Sequence, residues 1–387
     1  DMVPYWLIVS TGYILAFVIT VVTIPVIVRV ARLKNLCAIP NKRSSHSNAV
    51  PNLGGVALFI GFIISTLIIT GDQFQGISYI LSSLIILFFI GMKDDILVID
   101  PKKKLAVQFM VAFMLAVFAD IRINTFFEIF NIGTLPYIPS VLISVFLIVL
   151  IINGFNLIDG IDGLAAGTGV IASVAFGLWF WHIEVLEYTV MCFCLAGTLI
   201  AFFFYNVFGK ENKVFMGDTG SLLIGFLVSI MVIRFLQSDQ SFILRMETES
   251  SPSLALSVII LPIFDTLRIF IIRIAQKKSP FIADHQHLHH RLLQMGYSHF
   301  KSTLILMSVN MFVLFFCFFL QGLGDLLLIS IVLAMMTISS YVLLRMAKKN
   351  LVKPARVTLR QVKNQGSEQH RQEVYAKEIQ KVEAMQN

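Results

Sequence analysis

Five aspartates stand at the ends of apolar segments, where a membrane helix would meet water. Asp94 and Asp95 lie in "GMKDDILVID", Asp159 and Asp162 in "NGFNLIDGIDGL", and Asp218 in "FMGDTGSL". An acid inside a membrane span costs about 2.5 to 3.5 kcal/mol on insertion scales, so each one needs a reason. Helix capping explains any single aspartate, but it does not require acids from three separate segments to converge. The pattern therefore indicates a site built from these carboxylates.

A cluster of carboxylates needs a cation. Two carboxylates about 4 Å apart repel by roughly 4 kcal/mol at an effective dielectric of about 20. Oxygen ligands without a nearby cysteine favour a hard cation, and Mg²⁺ commonly takes one or two carboxylates together with substrate phosphates. We therefore expect Mg²⁺, with Mn²⁺ able to substitute, and a phosphate-bearing substrate.

Basic residues and histidines accompany the acids. Lys104 opens the apolar segment that follows Asp94 and Asp95. The loop "RIAQKKSPFIADHQHLHHRLLQMGYSH" adds a further set, namely Arg273, His285, His287, His289, His290 and Arg291. These histidines fit a transition-metal site, sugar or phosphate contacts, or a structural role. Because the set lacks the ligand spacing of common zinc motifs, we favour sugar or phosphate contacts.

The elements that position these residues are membrane helices. The chain has 387 residues, of which 57% are hydrophobic and only 14% charged, and its mean hydropathy is +0.82. This composition excludes an ordinary soluble domain. About eleven segments are long and apolar enough to cross a bilayer, so we predict an all-α integral membrane protein. The segments are 3–28, 53–70, 77–92, 105–120, 136–152, 164–182, 186–206, 219–236, 254–274, 302–321 and 326–344.

The distribution of Lys and Arg between alternate loops predicts the orientation. One side collects nearly all of them, including Lys93, Lys104 and Lys278, whereas the other keeps Arg122, Arg234 and Arg245. By the positive-inside rule the N-terminus lies outside and the C-terminus is cytoplasmic. The net charge of +7 then reflects topology and attraction to anionic lipid, and it does not indicate nucleic-acid binding.

The chain divides into a polytopic membrane domain, residues 1–345, and a basic cytoplasmic tail, residues 346–387. We expect the first apolar segment to be a retained span, because it lacks a basic leader and a small-residue cleavage site. The tail contains a short candidate helix, "EQHRQEVYAKEIQKVEAM", and we expect at most anchoring at the lipid surface from it. The four cysteines read as ordinary thiols.

The depth of the acids distinguishes an enzyme from a transporter. Asn153, Asn156, Asp159 and Asp162 recur every third residue, which predicts one polar stripe if the segment is helical. Ion-coupling acids of transporters usually lie near the bilayer midplane. All five aspartates are predicted at the cytoplasmic rim, which favours an enzyme acting on a water-soluble substrate over a cation-coupled transporter.

Five motifs in order resemble one known family over nearly all of residues 1–345. They are "GMKDDILVIDPKKKLAVQF", "NGFNLIDGIDGLAAG", "FMGDTGSLLIGF", "LPIFDTLRIFIIR" and "DHQHLHHRLL". Together they resemble the polyprenyl-phosphate N-acetylhexosamine-1-phosphate transferases. The His-Leu-His-His sequence at 287–290 is similar to the branch that uses N-acetylglucosamine 1-phosphate rather than to the branch that uses phospho-MurNAc-pentapeptide.

The resemblance implies a reaction at the cytoplasmic face of the bacterial inner membrane. An oxygen of undecaprenyl phosphate attacks the β-phosphate of UDP-GlcNAc, releasing UMP and leaving a lipid-linked pyrophosphoryl sugar. This is the first membrane step of a cell-envelope polysaccharide or teichoic acid pathway. Another UDP-sugar, such as UDP-MurNAc-pentapeptide or a deoxy-N-acetylhexosamine, is the first alternative, and a transporter is the second. Direct attack or a covalent intermediate, and a monomer or a homodimer, are left open.

The resemblance also implies a role for each candidate residue. Asp94 would deprotonate or position the lipid phosphate, with Asp95 beside it. Asp218 and Asn156 would bind Mg²⁺. Lys104 would hold a phosphate, Asp162 would contact the uracil and Asp159 would organise the same pocket, while the sugar or pyrophosphate would be handled by Arg273, His287, His289, His290 and Arg291.

Three further residues stand apart from these roles. In "CAIP", Ala38 stands where many relatives carry an acid, which puts the role of the first cytoplasmic loop in doubt. Asp265 and Arg268 lie three residues apart in the ninth segment, a spacing that predicts an internal ion pair.

Overall fold

The protein is an all-α integral membrane protein, as predicted. The computed structural model describes residues 4–38, 50–71, 76–125, 133–237, 252–277 and 287–364. Within these ranges the chain forms thirteen α-helices and one antiparallel pair of two-residue strands. Helices predominate because backbone N–H and C=O groups in a bilayer must be satisfied within the segment.

The helices follow the predicted apolar segments in order. They are α1 (Tyr5–Leu33), α2 (Gly54–Thr70), α3 (Ile77–Ile96), α4 (Pro101–Phe118), α5 (Tyr137–Ile158), α6 (Leu164–His182), α7 (Leu186–Phe208), α8 (Gly217–Leu236), α9 (Pro252–Val258), α10 (Ile260–Ala275), α11 (Leu288–Gln294), α12 (His299–Phe319) and α13 (Asp325–Asn364). Strand β1 (Cys37–Ala38) pairs with β2 (Val50–Pro51). The predicted tail helix at 368–385 lies outside the described residues.

The described helices do not settle whether the chain crosses the membrane eleven times, as predicted. Among the described helices, eight are long and apolar enough to cross a bilayer by themselves. The ninth predicted span is instead two helices, α9 and α10, which meet at an angle of 86°. Helix α2 is apolar but has 17 residues, and α4 begins with three consecutive lysines. The count and the orientation stay predictions.

Helix α8 lies at the centre of the bundle. In the most apolar 18-residue stretch of α8, 94% of the residues are buried inside the protein, compared with 28% in that of α1 at the periphery. Helices α2, α3, α5 and α6 all pack against it. The core around α8 contains large side chains such as Phe155, Phe176 and Phe226. The N-terminal end of α8, which carries Asp218, is therefore held by several neighbours at once.

Glycines let two neighbours approach α8 closely. A Cβ atom on Gly91 of α3 would lie 2.6 Å from Thr219 Cα, and one on Gly55 of α2 would overlap the Gly220 nitrogen. Separations this short exclude any larger side chain unless the backbone moves. Gly91 lies one helical turn before Asp94 and Asp95, so this contact sets the distance between the paired aspartates and α8.

Candidate functional site

A lysine joins two of the predicted aspartates. Lys104 Nζ lies 3.0 Å from Asp94 Oδ2 and 2.7 Å from Asp218 Oδ1. Asp94 also accepts a hydrogen bond of 2.7 Å from the Ile99 backbone N–H. The three charged side chains come from the end of α3, the first turn of α4 and the start of α8. The predicted convergence of Asp94, Lys104 and Asp218 is present, while their chemical roles stay predictions.

Asn156 belongs to the same cluster. Its Nδ2 donates hydrogen bonds to Asp218 Oδ1 and, at 2.9 Å, to Ser221 Oγ. Asn153, one turn earlier on α5, instead donates to Gln108 Oε1 at 2.6 Å. The predicted polar stripe is therefore wrong beyond Asn156, because α5 ends at Ile158 and the chain turns there.

Asp95 points to a different partner from that of its neighbour Asp94. Its carboxylate accepts hydrogen bonds from the backbone N–H groups of Asp218 (2.7 Å) and Thr219 (3.0 Å), from Thr219 Oγ1 (2.6 Å) and from Asn52 Nδ2 (3.1 Å). These backbone donors belong to the first turn of α8, which has no intrahelical acceptor for them. Asp95 thus caps α8 from another helix, beside Gly217, whose positive φ of 71° permits the turn.

The turn between α5 and α6 brings the next two aspartates to this end of the bundle. Asp162 Oδ2 lies 2.7 Å from Lys213 Nζ and 3.7 Å from His299 Nδ1. Burial opposes ionisation of Asp162, but His299 and Lys213 outweigh it and hold the pKa of the carboxyl below its usual range. Removal from water, together with the negative charges of Asp218, Asp95 and Asp162, raises the pKa of Asp159 well above its usual range.

Hydrogen bonds fix this turn in place. Gly163 has φ +81° and precedes α6, and its N–H donates to Asn206 Oδ1 at 2.6 Å. Asn206 Nδ2 donates in turn to the Val214 carbonyl at 2.9 Å. Thr303 Oγ1 donates to the Asp162 carbonyl at 2.7 Å. Helices α6, α7 and α12 and the approach to α8 therefore hold the turn together.

The histidines lie against the same turn. The rings of His287 and His289 are parallel within 10° at 5.7 Å, and those of His289 and His290 are 4.2 Å apart. A Cβ atom on Gly160 would overlap His289 Nε2, so the imidazole packs directly on the turn that carries Asp159 and Asp162. The sequence separates these two segments by more than a hundred residues, yet they form one surface.

His289 is a buried polar group of unusual character. Its side chain is 1% exposed, and neither ring nitrogen has a hydrogen-bond partner in the part of the chain that the structure describes. Burial, with the adjacent His290, lowers the pKa of His289 to about 3, so the ring is neutral near pH 7. A neutral imidazole has one donor and one acceptor nitrogen, and here both are enclosed by protein, with Nε2 against Gly160.

The remaining predicted residues lie on α10 and α11. Arg273 is buried near the end of α10, and Arg291 Nη1 donates to Gln294 Oε1 at 3.0 Å on α11. The predicted ion pair is confirmed, with Arg268 Nη2 at 2.8 Å from Asp265 Oδ1. Asp265 also binds His287, at 2.9 Å from its Nδ1. His285 lies outside the described residues.

Several contributors to the site were not predicted. Lys213 and His299 surround Asp162, Ser221 and Thr219 bind the acidic cluster, and Asn52 binds Asp95. Lys213 stands five residues before Asp218, in "GKENKVFMGD", which was the available signal. The position of a lysine near a motif in the sequence does not identify the carboxylate that it contacts.

Comparison with known proteins gives consistent matches. A sequence model of glycosyl transferase family 4 matches residues 77–236. The chain is 30% identical over 293 residues to an undecaprenyl-phosphate α-N-acetylglucosaminyl 1-phosphate transferase of Escherichia coli (strain K12), covering 75% of this chain and 78% of that protein. It is 33% identical over 312 residues to a probable undecaprenyl-phosphate N-acetylglucosaminyl 1-phosphate transferase of Bacillus subtilis (strain 168), covering 77% and 82%.

Proposed function

The chain belongs to glycosyl transferase family 4, and from that membership we propose that it transfers N-acetylglucosamine 1-phosphate from UDP-GlcNAc to undecaprenyl phosphate. An oxygen of the lipid phosphate forms a bond to the β-phosphorus of the donor. The bond from that phosphorus to the oxygen of UMP breaks, so UMP leaves and the lipid carries a pyrophosphoryl sugar. The reaction takes place at the cytoplasmic side of the bacterial inner membrane.

The observation that carries this proposal is the Lys104 ammonium between Asp94 and Asp218, at the end of the bundle where α3, α4 and α8 meet. Phosphoryl transfer depends mainly on positioning and on neutralising charge at the phosphates. Lys104 supplies positive charge at this position. Carboxylates on either side keep the ammonium ordered until a phosphate replaces one of them.

Asp94 and Asp95 have different roles in the proposed reaction. Asp94 is the group that accepts a proton from the lipid phosphate or positions it, because its side chain faces Lys104. Asp95 is a positioning residue, since its oxygens are occupied by the first turn of α8. Its contact with the backbone of Asp218 keeps that carboxylate facing the cluster.

The residues present fit a magnesium ion. No group of three or more His, Cys, Asp or Glu side chains arranged to hold a metal occurs within the described ranges. Mg²⁺ does not need such a group, because it is bound by one or two carboxylates with substrate phosphates and water. Asp218 and Asn156 are in contact, and Lys104 joins Asp218 to Asp94. Asp218 would hold the ion, which would neutralise charge on the donor phosphates. Asn156 turns its Nδ2 toward Asp218, so its amide would have to turn over before the oxygen could serve as a second ligand.

The donor nucleotide fits the other half of the site. Asp162 is the acceptor for the uracil, and Asp159 shapes the same pocket on the turn before α6. The sugar and pyrophosphate lie toward the histidine segment, where His287, His289 and His290 stand with Arg291 and where Arg273 supplies charge from α10.

Product identification tests the proposal. Purified protein in lipid nanodiscs is incubated with undecaprenyl phosphate, Mg²⁺ and one UDP-sugar at a time, and the lipid product is identified by mass. We expect UDP-GlcNAc to yield undecaprenyl-pyrophosphoryl-GlcNAc and an equal amount of UMP. A product formed only from UDP-MurNAc-pentapeptide or from a deoxy sugar would reject the assigned donor, and no lipid product from any UDP-sugar would reject the reaction.

A further inference from the structure

Asp265 binds three groups from inside the protein. It lies on α10 and is 1% exposed. Its carboxylate accepts hydrogen bonds from Arg268 Nη2 at 2.8 Å and from the Leu288 backbone N–H at 3.2 and 3.3 Å, and it lies 2.9 Å from His287 Nδ1. Two of the three partners are in the histidine segment, more than twenty positions along the chain. The ion pair with Arg268 is therefore only part of its role.

The contact with His287 selects a tautomer. An ionised carboxylate only accepts hydrogen bonds, so the proton between the two groups belongs to His287 Nδ1. In the neutral ring, Nε2 is then an acceptor that is free to face a ligand. A carboxylate behind an imidazole serves the same purpose in many catalytic and metal sites, where it fixes both ring orientation and tautomer.

The hydrogen bond from the Leu288 N–H to Asp265 fixes the position of the histidine segment. Leu288 is the first residue of α11, and its N–H has no acceptor within that helix. Asp265 therefore fixes the start of α11 and the ring of His287 at one point. The ring of His289 lies parallel to that of His287, and it packs on Gly160 of the turn that carries Asp159 and Asp162.

We propose that Asp265 is a positioning residue for donor recognition: it holds the segment 287–291 against the Gly160 turn and presents His287 Nε2 as an acceptor for a hydroxyl of the sugar in the nucleotide sugar. This inference rests on the proposed function, because it takes UDP-GlcNAc as the donor. Arg268 balances the charge of Asp265 and takes no part in the recognition.

The variant Asp265→Asn tests this directly. Asparagine keeps the size of the side chain but can offer an amide N–H to His287 Nδ1, which moves the ring proton to Nε2 and turns the acceptor into a donor. Losing a hydrogen bond to a charged group changes binding by about tenfold to a hundredfold. We expect the KM for UDP-GlcNAc to rise by at least about tenfold, with the KM for undecaprenyl phosphate and the inhibition constant of UMP within about twofold.

Two matched variants separate positioning from general support of the fold. His287→Gln alone should produce a similar loss, and adding Asp265→Asn to it should cause little further change, because both act through one ring. Arg268→Gln removes the ion pair but keeps His287 and should leave the KM for UDP-GlcNAc within about threefold. If Asp265→Asn does not fold, Asp265→Glu, which keeps the charge but moves the carboxylate, takes its place in the same comparison.

The outcomes distinguish this inference from the proposed function. Independent, additive increases in the KM for UDP-GlcNAc caused by Asp265→Asn and His287→Gln would overturn the inference. Equal weakening of UMP binding and UDP-GlcNAc binding would also overturn it. An Asp265→Asn protein with unchanged donor KM, beside an active wild type, would overturn the inference alone. A wild type that does not use UDP-GlcNAc would overturn both.

Discussion

At the scale of single residues, the two adjacent aspartates at the end of α3 do different things. Neighbouring positions on a helix point about 100° apart, so two consecutive side chains do not face the same partner. Asp94 faces Lys104, whereas Asp95 faces the first turn of α8. We propose that Asp94 takes part in the chemistry and that Asp95 keeps Asp218 in position for it.

Replacing each aspartate by alanine should therefore give different results. Asp95→Ala leaves buried backbone donors of Asp218 and Thr219 without acceptors, a loss of about 1 to 3 kcal/mol each at most. We expect its apparent Tm to fall by several degrees and its turnover to fall with it. Asp94→Ala should lower kcat at least about a hundredfold with little change in Tm. Equal changes in Tm for both variants would contradict this division, and thermal unfolding in detergent measures it.

In the proposed function, Asp218 is the residue on which metal binding depends. Asp218→Asn removes the charge that would attract Mg²⁺, and we expect UMP release to fall to background and the Mg²⁺-dependent rise in Tm to disappear. Chelation by EDTA should reproduce the loss in the wild type, and added Mn²⁺ should restore it. The control is Asp100→Asn, an N-cap of α4 beside the site, where asparagine caps equally well. Near-normal turnover of Asp218→Asn would reject the metal assignment.

Residue patterns predicted part of this site. Asp94 and Asp218 were predicted to converge because acids at the ends of apolar segments are costly unless they share a purpose. Lys104 was placed on the same side by its position at the start of the next segment, and Asn156 was joined to Asp218 by the family resemblance. Asp265 was paired only with Arg268, since a contact three residues away is visible in a helix and one to His287 is not. Lys213 was missed for the same reason, because nothing local links it to Asp162.

At the scale of elements, helix positions followed from hydropathy and helix interruptions did not. Every predicted apolar segment contains a helix, because length and apolarity decide what can cross a bilayer. The ninth segment reads as one apolar run, yet α9 and α10 meet at 86°. The bend depends on packing against α5, α12 and α8, which sequence periodicity does not contain. The predicted stripe from Asn153 to Asp162 failed similarly, because α5 ends before it.

The contact between α3 and α8 offers a prediction at this scale. Gly91→Ala places a methyl group 2.6 Å from Thr219 Cα, so the two helices must separate. We expect kcat to fall at least tenfold while the protein still inserts and binds UMP, because the shift separates Asp94 and Lys104 from Asp218. Gly322→Ala, where no described atom lies within 4 Å of the added carbon, is the control. Wild-type turnover of Gly91→Ala would show that this contact does not set the geometry.

At the scale of the whole molecule, the site occupies one end of the bundle. The end of α3, the start of α4, the end of α5 and the start of α8 meet there. This arrangement places the acids at helix ends and away from the middle of the helices, while their depth in the bilayer stays a prediction. The lipid phosphate and the soluble donor can then meet without either crossing the bilayer.

Cysteine labelling tests the proposed orientation. In a Cys37→Ser background the other three cysteines, Cys192, Cys194 and Cys317, are buried. We expect Lys102→Cys, at the start of α4 beside the site, to react with a membrane-impermeant maleimide only in inverted vesicles. Gly322→Cys, between α12 and α13, should react only in right-side-out vesicles. Labelling of both from one side would reject the number of crossings between them, and an exchanged pattern would reject the orientation.

The isolation of α8 from lipid has a consequence for how the bilayer influences the protein. Changes in acyl-chain length or fluidity act on helices that touch lipid, such as α1, and reach Asp218 only through the surrounding layer of α2, α3, α5 and α6. We therefore expect the Asp218 carboxylate, at the start of this enclosed helix, to keep its alignment when growth temperature alters the fatty acids of the cell. The proposed transfer should accordingly vary little with acyl-chain composition.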